Sequence, residues 1–195
     1  MKKSKKTERY IIEQTAEIFN KKGYIGTSLS DLTIATNLTK GSIYGNFKNK
    51  QEVAVAAFNY NYQNLIKRFR SSLGAKDSTK EKLTAFFDTY AQSYDYLIEL
   101  GGCPILNTAV DSDDTNQSLH ELTEKAFAAW HLNLSTIIKQ GISTQELSDG
   151  VNPEKYADLF IVTIEGGLLL SKSTGQRRYF DHAMEHLREV LDQLV

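Results

Sequence analysis

Apolar positions recur at spacings of three and four along this chain, and no stretch alternates apolar and polar residues between turn pairs. Ile12, Ala16 and Phe19 share one helical face near the start, and Phe180, Ala183, Leu187, Val190 and Leu194 share another near the end. The pattern predicts an all-α protein with helices over residues 7–22, 29–36, 40–46, 50–72, 79–100, 104–112, 117–140, 153–171 and 177–194, about nine in all. Only two prolines, Pro104 and Pro153, punctuate it. A chain of 195 residues can bury a sizeable core in one domain or two small ones.

Residues 28–50 contain three polar helix starts in succession. Ser28 with Asp31 has the spacing of a capping box, with Asp in place of the usual Glu or Gln. Thr39 precedes the helix from Lys40, and Asn49 with Glu52 opens the next. Two helices of about two turns separated by Asn37-Leu38 have helix-turn-helix proportions, which an ordinary helical hairpin in a bundle would share. Charge separates these readings. The whole chain carries −1, yet residues 1–50 hold 10 Lys and Arg against 4 Asp and Glu, a net of +6, and the remainder holds 13 against 20, a net of −7. A basic N-terminal quarter with Lys2, Lys3, Lys5 and Lys6 at its start, joined to an acidic remainder, fits a polyanion partner at one end only.

Gly23-Tyr24-Ile25-Gly26-Thr27-Ser28, followed by Lys40-Gly41-Ser42-Ile43-Tyr44-Gly45-Asn46-Phe47-Lys48-Asn49-Lys50, resembles the DNA-binding domain of the TetR family of bacterial repressors. The likeness is dense over about residues 7–53 and thins beyond residue 60. It implies a helix-turn-helix domain over residues 5–65, with the motif itself at about 28–47, and a ligand-binding and dimerisation domain over residues 66–195. The expected function is sequence-specific regulation of transcription, most simply as a repressor released from a double-stranded operator by a small molecule.

In such a domain the start of the second helix of the motif enters the major groove. Lys40 would reach a guanine edge or a phosphate, Ser42 a base edge, and Thr39 would face the groove while capping. Gly41 removes a side chain where the helix approaches closely. Thr27, Ser28 and Lys50 are expected at the DNA as well, Thr27 and Lys50 as phosphate anchors. Tyr44 matches the family tyrosine whose phenol bonds a phosphate, or else it stacks in the small core. Where many relatives carry an aromatic and then His, this chain has Gly45-Asn46, so an aromatic contact is lost while Asn46 can still read adenine or hold a phosphate. Gly45 also weakens its helix by up to ~1 kcal/mol relative to Ala.

The resemblance implies a homodimer through the helices at about 153–171 and 177–194. The residues agree: Asn152 caps, Pro153 takes the first helical position, and Leu159, Phe160, Ile161, Val162, Ile164 and Leu168-Leu169-Leu170 surround the axis with apolar side chains. Gly166-Gly167 allow close approach. Burial within one subunit alone is the other reading. Phe86, Tyr90, Tyr94, Phe127 and Trp130, with Asn107, are candidates either for core or for the lining of an effector cavity. Cys103, in Gly101-Gly102-Cys103-Pro104, falls at a helix N-cap, where a thiolate is favoured. Gly-Cys here and Lys172 further on also look like a subgroup of the family in which cysteine and lysine approach each other and, in some members, the cysteine senses electrophiles or oxidants. Cys103 is therefore either a ligand-site thiol, a redox or electrophile sensor, or small apolar filler.

Other classes fit less well. His182-Ala183-Met184-Glu185-His186 matches a zinc-protease pattern, but only nine residues follow and the helix carries a packing face. The run Asp111-Ser112-Asp113-Asp114 lacks the glycine and closing glutamate of a calcium loop and reads as a solvated loop cap. No phosphate cradle or Gly-x-Ser-x-Gly elbow is present, so neither cofactor nor catalysis is expected. An all-helical enzyme or ligand carrier is the competing class. One cysteine, no signal-peptide pattern and no run of ~20 apolar residues together read as a cytoplasmic protein away from the membrane.

Overall fold

Ser28 and Asp31 form the reciprocal cap that the sequence predicts, and similar local devices set most helix starts in the computed structural model. The structure describes residues 2–74 and 76–194; the side chains of Lys2, Lys3, Ser4 and Leu73, and the ends of the expected domains at residue 195, lie outside the description. Among the described residues the elements are α1 (Lys2–Gly26), α2 (Leu29–Thr36), α3 (Lys40–Tyr44), α4 (Lys50–Leu73), α5 (Thr79–Gln92), α6 (Tyr94–Leu100), α7 (Pro104–Ser112), α8 (Gln117–Ser143), α9 (Pro153–Thr174) and α10 (Arg178–Leu194). The all-α expectation holds. None of these helices is long and apolar enough to cross a membrane.

Three differences from the expected elements have local causes. The regular part of α1 ends at Gly23, which leaves helical geometry at φ 71° and ψ 176°. The third helix stops at Tyr44 rather than residue 46, because Gly45 is its C-cap and the chain then tightens, with Asn46 and Phe47 both donating to the Ile43 carbonyl. The segment expected as one helix over 79–100 breaks at Ser93, which is buried (3 % exposed). Its N–H donates to the carbonyls of Thr89 and Tyr90, while its own carbonyl accepts the first bond of α6 from Leu97.

The chain packs as two compact units. The first comprises the residues up to Leu65 together with Leu100–Glu124. Its apolar centre includes Ile11, Phe19, Leu32, Ile43, Val53, Ala57, Ile105 and Leu119. The second comprises Ile66–Glu99 and the residues from Lys125 onward. It buries Leu83, Phe87, Leu97, Leu134, Phe160, Ile164, Phe180 and Leu187.

Within the second unit α9 lies tightly on α10. A Cβ on Gly167 would stand 2.7 Å from the Ala183 Cβ and 3.3 Å from the Phe180 Cα, so this glycine gives the two axes their close approach. Asn152 accepts the Lys155 N–H and Pro153 occupies the first turn, as expected. Phe180, Met184, Leu187, Leu191 and Leu194 form the buried stripe of α10.

Candidate nucleic-acid interface

α2, the turn and α3 hang on three apolar anchors, Leu32, Ile43 and Phe47, each under 10 % exposed. Ser28 Oγ accepts the Asp31 N–H at 3.1 Å, and Asp31 Oδ2 accepts the Ser28 N–H at 2.7 Å. Lys22 Nζ lies 2.6 Å from Asp31 Oδ1. The Lys22 hydrogen bond, followed by those from the Ser28 hydroxyl and N–H, holds the Asp31 carboxyl well below the usual carboxylate range. At the far end of α2, Asn37 takes the left-handed conformation at φ 52° that closes the helix. The Tyr10 hydroxyl, from α1, donates to the Thr36 carbonyl at 3.1 Å.

This frame turns the start of α3 outward. Thr39, Lys40 and Gly41 are exposed, and Ser42, Tyr44 and Asn46 are half-buried. Thr39 Oγ1 accepts the Ser42 N–H at 3.2 Å, as the cap requires. Among the described residues a Cβ at Gly41 would meet nothing nearer than Thr39 Oγ1 at 3.9 Å, so none of them demands glycine there. The Lys40 ammonium lies 5.9 Å from the centre of the Tyr44 ring. Asn46 Nδ2 donates to the Ser42 carbonyl at 2.9 Å, which ties the amide to the end of its own helix.

Three of the expected DNA-contacting side chains make hydrogen bonds within the protein. Thr27 is fully buried and its hydroxyl donates to the Gly23 carbonyl at 2.6 Å. The Ser28 hydroxyl donates to Asp31 at 2.7 Å. Lys50 Nζ donates to the carbonyls of Tyr24 and Thr27 at 2.7 and 2.9 Å and sits 4.2 Å above the Tyr24 ring. The carbonyls at a helix C-terminus have no partners within the helix and attract a cation, so this lysine closes the end of α1. In this structure Thr27 and Lys50, expected as phosphate anchors, are parts of the frame that holds α1, α2 and α4 together. Lys22 and Tyr10, which also belong to it, were not singled out in the sequence, because their partners lie 9 and 26 residues away.

The expected ligand-lining residues are divided. Phe86, Tyr90, Phe127 and Trp130 come together in the second unit, joined by Phe69. Tyr90 and Phe127 each stack near-parallel on Trp130, with centroids at 5.5 and 6.3 Å, and Phe69 lies 4.6 Å from Tyr90. Trp130 Nε1 is buried and has no hydrogen-bond acceptor among the described residues. Tyr94 is outside this cluster: beyond the break at Ser93 its ring packs on Phe180 at 5.0 Å and under the Arg177 guanidinium at 4.5 Å. Asn107 and Cys103 belong to the first unit. Asn107 Nδ2 donates to the carbonyls of Gly101 and Asn20, and Cys103, at the N-cap of α7, makes no side-chain capping bond and is 2 % exposed.

α9 carries an exposed apolar stripe, Leu159, Val162, Leu169 and Leu170, from 44 % to 67 % exposed. Gly166 lies on it with nothing within 4 Å of where its Cβ would be. This spacing, at three, seven, ten and eleven residues from Leu159, keeps the stripe on one side of the helix.

Comparisons with known proteins agree with this architecture. The family profile of bacterial regulatory proteins of the tetR family matches residues 11–57, and that of the tetracyclin repressor-like C-terminal domain matches residues 79–187. A TetR-family transcriptional regulator from Cytophaga hutchinsonii is 41 % identical, with a TM-score of 0.91, over 100 % of this chain and 97 % of its own. A TetR transcriptional regulator from Chloroflexus aurantiacus is 35 % identical, with a TM-score of 0.94, over 100 % and 98 %. The HTH-type transcriptional repressor DhaR from a Mycobacterium species is 23 % identical over 96 % of this chain and 87 % of its own. The chain belongs to the TetR family of bacterial helix-turn-helix transcriptional regulators.

Proposed function

We propose that this regulator is a homodimeric repressor that holds double-stranded operator DNA through α3 and is released by a small molecule bound in its C-terminal part. The observation that carries the reading is the outward face at the start of α3, where exposed Thr39, Lys40 and Gly41 stand on a buried, capped frame. Lys40 holds a guanine edge or a phosphate, Thr39 and Ser42 reach base edges, and the glycine lets the backbone approach. Tyr44 and Asn46 supply further polar contacts at the rim. Thr27, Ser28 and Lys50 act by positioning α2 and α3. DNA contact is assigned to residues 5–65, with ligand and partner contact assigned to residues 66–195.

The exposed stripe of α9 supports the dimer, formed with α10 beside it. Two copies of α3 must stand ~34–36 Å apart to enter successive major grooves, so assembly is part of recognition. The cluster around Trp130 supports a flat, apolar effector. Such a ligand acts by binding one of two dimer conformations better than the other. Sensing of electrophiles by the Gly-Cys subgroup route is the weaker variant, since Cys103 is buried.

The test is binding of the purified protein to DNA from its own upstream intergenic region. If three or four groups per subunit neutralise phosphates, the dimer makes about six to eight such contacts and affinity falls on the order of 10³-fold or more between 50 and 200 mM salt. Absence of specific binding at either salt would leave two outcomes, an operator elsewhere in the genome or a wrong functional reading.

A further inference from the structure

The link between α1 and α2 is held from outside the helix-turn-helix. At Gly23 the chain leaves helical geometry, and the next N–H, of Tyr24, donates to Asp111 Oδ2 on α7 at 2.5 Å. The approach is close enough that a Cβ on Gly23 would collide with the Asp111 carboxylate. Glycine serves here for both its positive φ and the room it leaves. The carbonyl of Tyr24 is held in turn by Lys50 at 2.7 Å. The residue that opens the connection is therefore gripped by a carboxylate on one side and an ammonium on the other.

The carboxylate stands on a fixed platform. Asn20 Nδ2, on α1, donates to the carbonyls of Leu100 and Gly102 at 2.8 and 3.1 Å. Asn107 Nδ2, on α7, donates to the Gly101 and Asn20 carbonyls at 2.7 and 3.1 Å. These bonds fasten the start of α7 to α1 one helical turn before Asp111 meets Tyr24. A backbone N–H given to a carboxylate is stronger than one given to a neutral acceptor. Asp111 is thus a clasp within the first unit, in place of the solvated loop cap its acidic neighbourhood suggests.

We propose that Asp111 is a positioning residue for operator binding, fixing the Gly23–Tyr24 turn and with it the angle at which α2 and α3 leave α1. This rests on the reading that α3 meets DNA. Without the clasp the turn samples other conformations, and the apparent Kd rises as the inverse of the DNA-competent fraction.

The test uses the full chain, the upstream duplex, and the variants Asp111→Ala and Asp111→Asn. If the competent fraction falls to about a tenth, Asp111→Ala weakens binding about tenfold. Asp111→Asn retains an amide oxygen that accepts the Tyr24 N–H, and it stays within about threefold of wild type. Hydrogen exchange of the Tyr24 amide is slow in wild type and Asp111→Asn and fast in Asp111→Ala. The helical circular-dichroism signal at the assay temperature stays at the wild-type level, which separates a loosened turn from an unfolded chain. Gly23→Ala attacks the clasp from the other side and brings a similar loss with a fast Tyr24 amide. Wild-type affinity in Asp111→Ala overturns the inference, as does a loss matched by lost helical signal or left unrescued by Asn. A wild-type protein that binds no DNA overturns the functional reading first, and that result is visible before any variant is compared.

Discussion

Lys50 donates from Nζ to the carbonyl oxygen of Thr27 at 2.9 Å, so two residues expected to grip phosphates independently are bound to each other. With the second bond to Tyr24, the ammonium satisfies carbonyls at the end of α1 and carries α4 against the turn that leads into α2. Replacing Lys50 with Met removes these bonds but keeps most of the apolar stem. The expected loss is about 1.5–3 kcal/mol of stability, the range for hydrogen bonds to a charged group. Operator affinity should fall through the frame, and the slope of log K against log salt should stay at the wild-type value. A slope shallower by about 1.8 for the dimer would return Lys50 to the phosphates.

Lys40 gives the opposite result. Its side chain makes no salt bridge in the described structure and lies near the Tyr44 ring from the exposed face of α3. Lys40→Ala should leave thermal stability within about 0.5 kcal/mol of wild type. If Lys40 holds a phosphate, the salt slope drops by about 1.8 for the dimer. If it reads guanine, discrimination at one base pair per half-site relaxes by about 1–3 kcal/mol and the slope holds. Unchanged affinity together with an unchanged base preference would remove Lys40 from the interface.

Asp31 makes the start of α2 sensitive to acid. Its folded pKa is depressed, first by Lys22 and then by Ser28, so its stabilising contribution is present above the ordinary unfolded carboxylate value. That contribution is lost as pH falls from about 4 toward the lower folded value. The stability difference between wild type and Asp31→Asn should accordingly be flat from about pH 5 to 8 and shrink below about pH 4. Urea titrations across that range measure it. A difference that grows in acid would contradict the assignment.

Local chemistry made the helix-turn-helix readable. Ser28 with Asp31 and Thr39 with Ser42 are pairs three residues apart, and their geometry is set by the helix that they start. The fate of Thr27 and Lys50 was hidden because their partners include carbonyls 23 and 26 residues from the ammonium. Asn107 was hidden more deeply, since Asn20 stands 87 residues away. Tyr90 and Tyr94 look like one face of one helix. The Ser93 break sends them to different partners, Trp130 for the first and Phe180 for the second. α9 reads as apolar all round, and only packing shows which part faces α10 and which part lies open. Gly167 lies on the first and Gly166 on the second.

The open side of α9 gives a test of assembly. Val162 is 67 % exposed at the middle of the stripe. Val162→Lys places a charge where two copies would meet, and burying it unpaired costs several kcal/mol. Light scattering should show wild-type dimers and variant monomers at micromolar concentration, with the monomer retaining its helical signal. Operator binding should weaken steeply, because a monomer presents only one α3. Variant dimers of wild-type stability would move the interface elsewhere.

Trp130 is the chain's one tryptophan, so its fluorescence reports on the aromatic cluster alone. Its ring packs on Phe86, Tyr90 and Phe127, its indole N–H is buried without an acceptor among the described residues, and leaving a buried donor unsatisfied costs about 1–3 kcal/mol. An effector that brings an acceptor to this atom removes that penalty, whereas a hydrocarbon of the same shape does not. Acetophenone and ethylbenzene form such a pair, one with a carbonyl and one without. The ketone should change Trp130 emission at about three- to tenfold lower concentration than the hydrocarbon, the ratio expected for one net hydrogen bond. In Trp130→Phe, with binding followed by calorimetry, the preference should disappear, since phenylalanine has no N–H to offer. Equal binding of the two compounds by the wild-type protein would show that the indole N–H takes no part in recognition. The effector would then be held by shape and apolar contact.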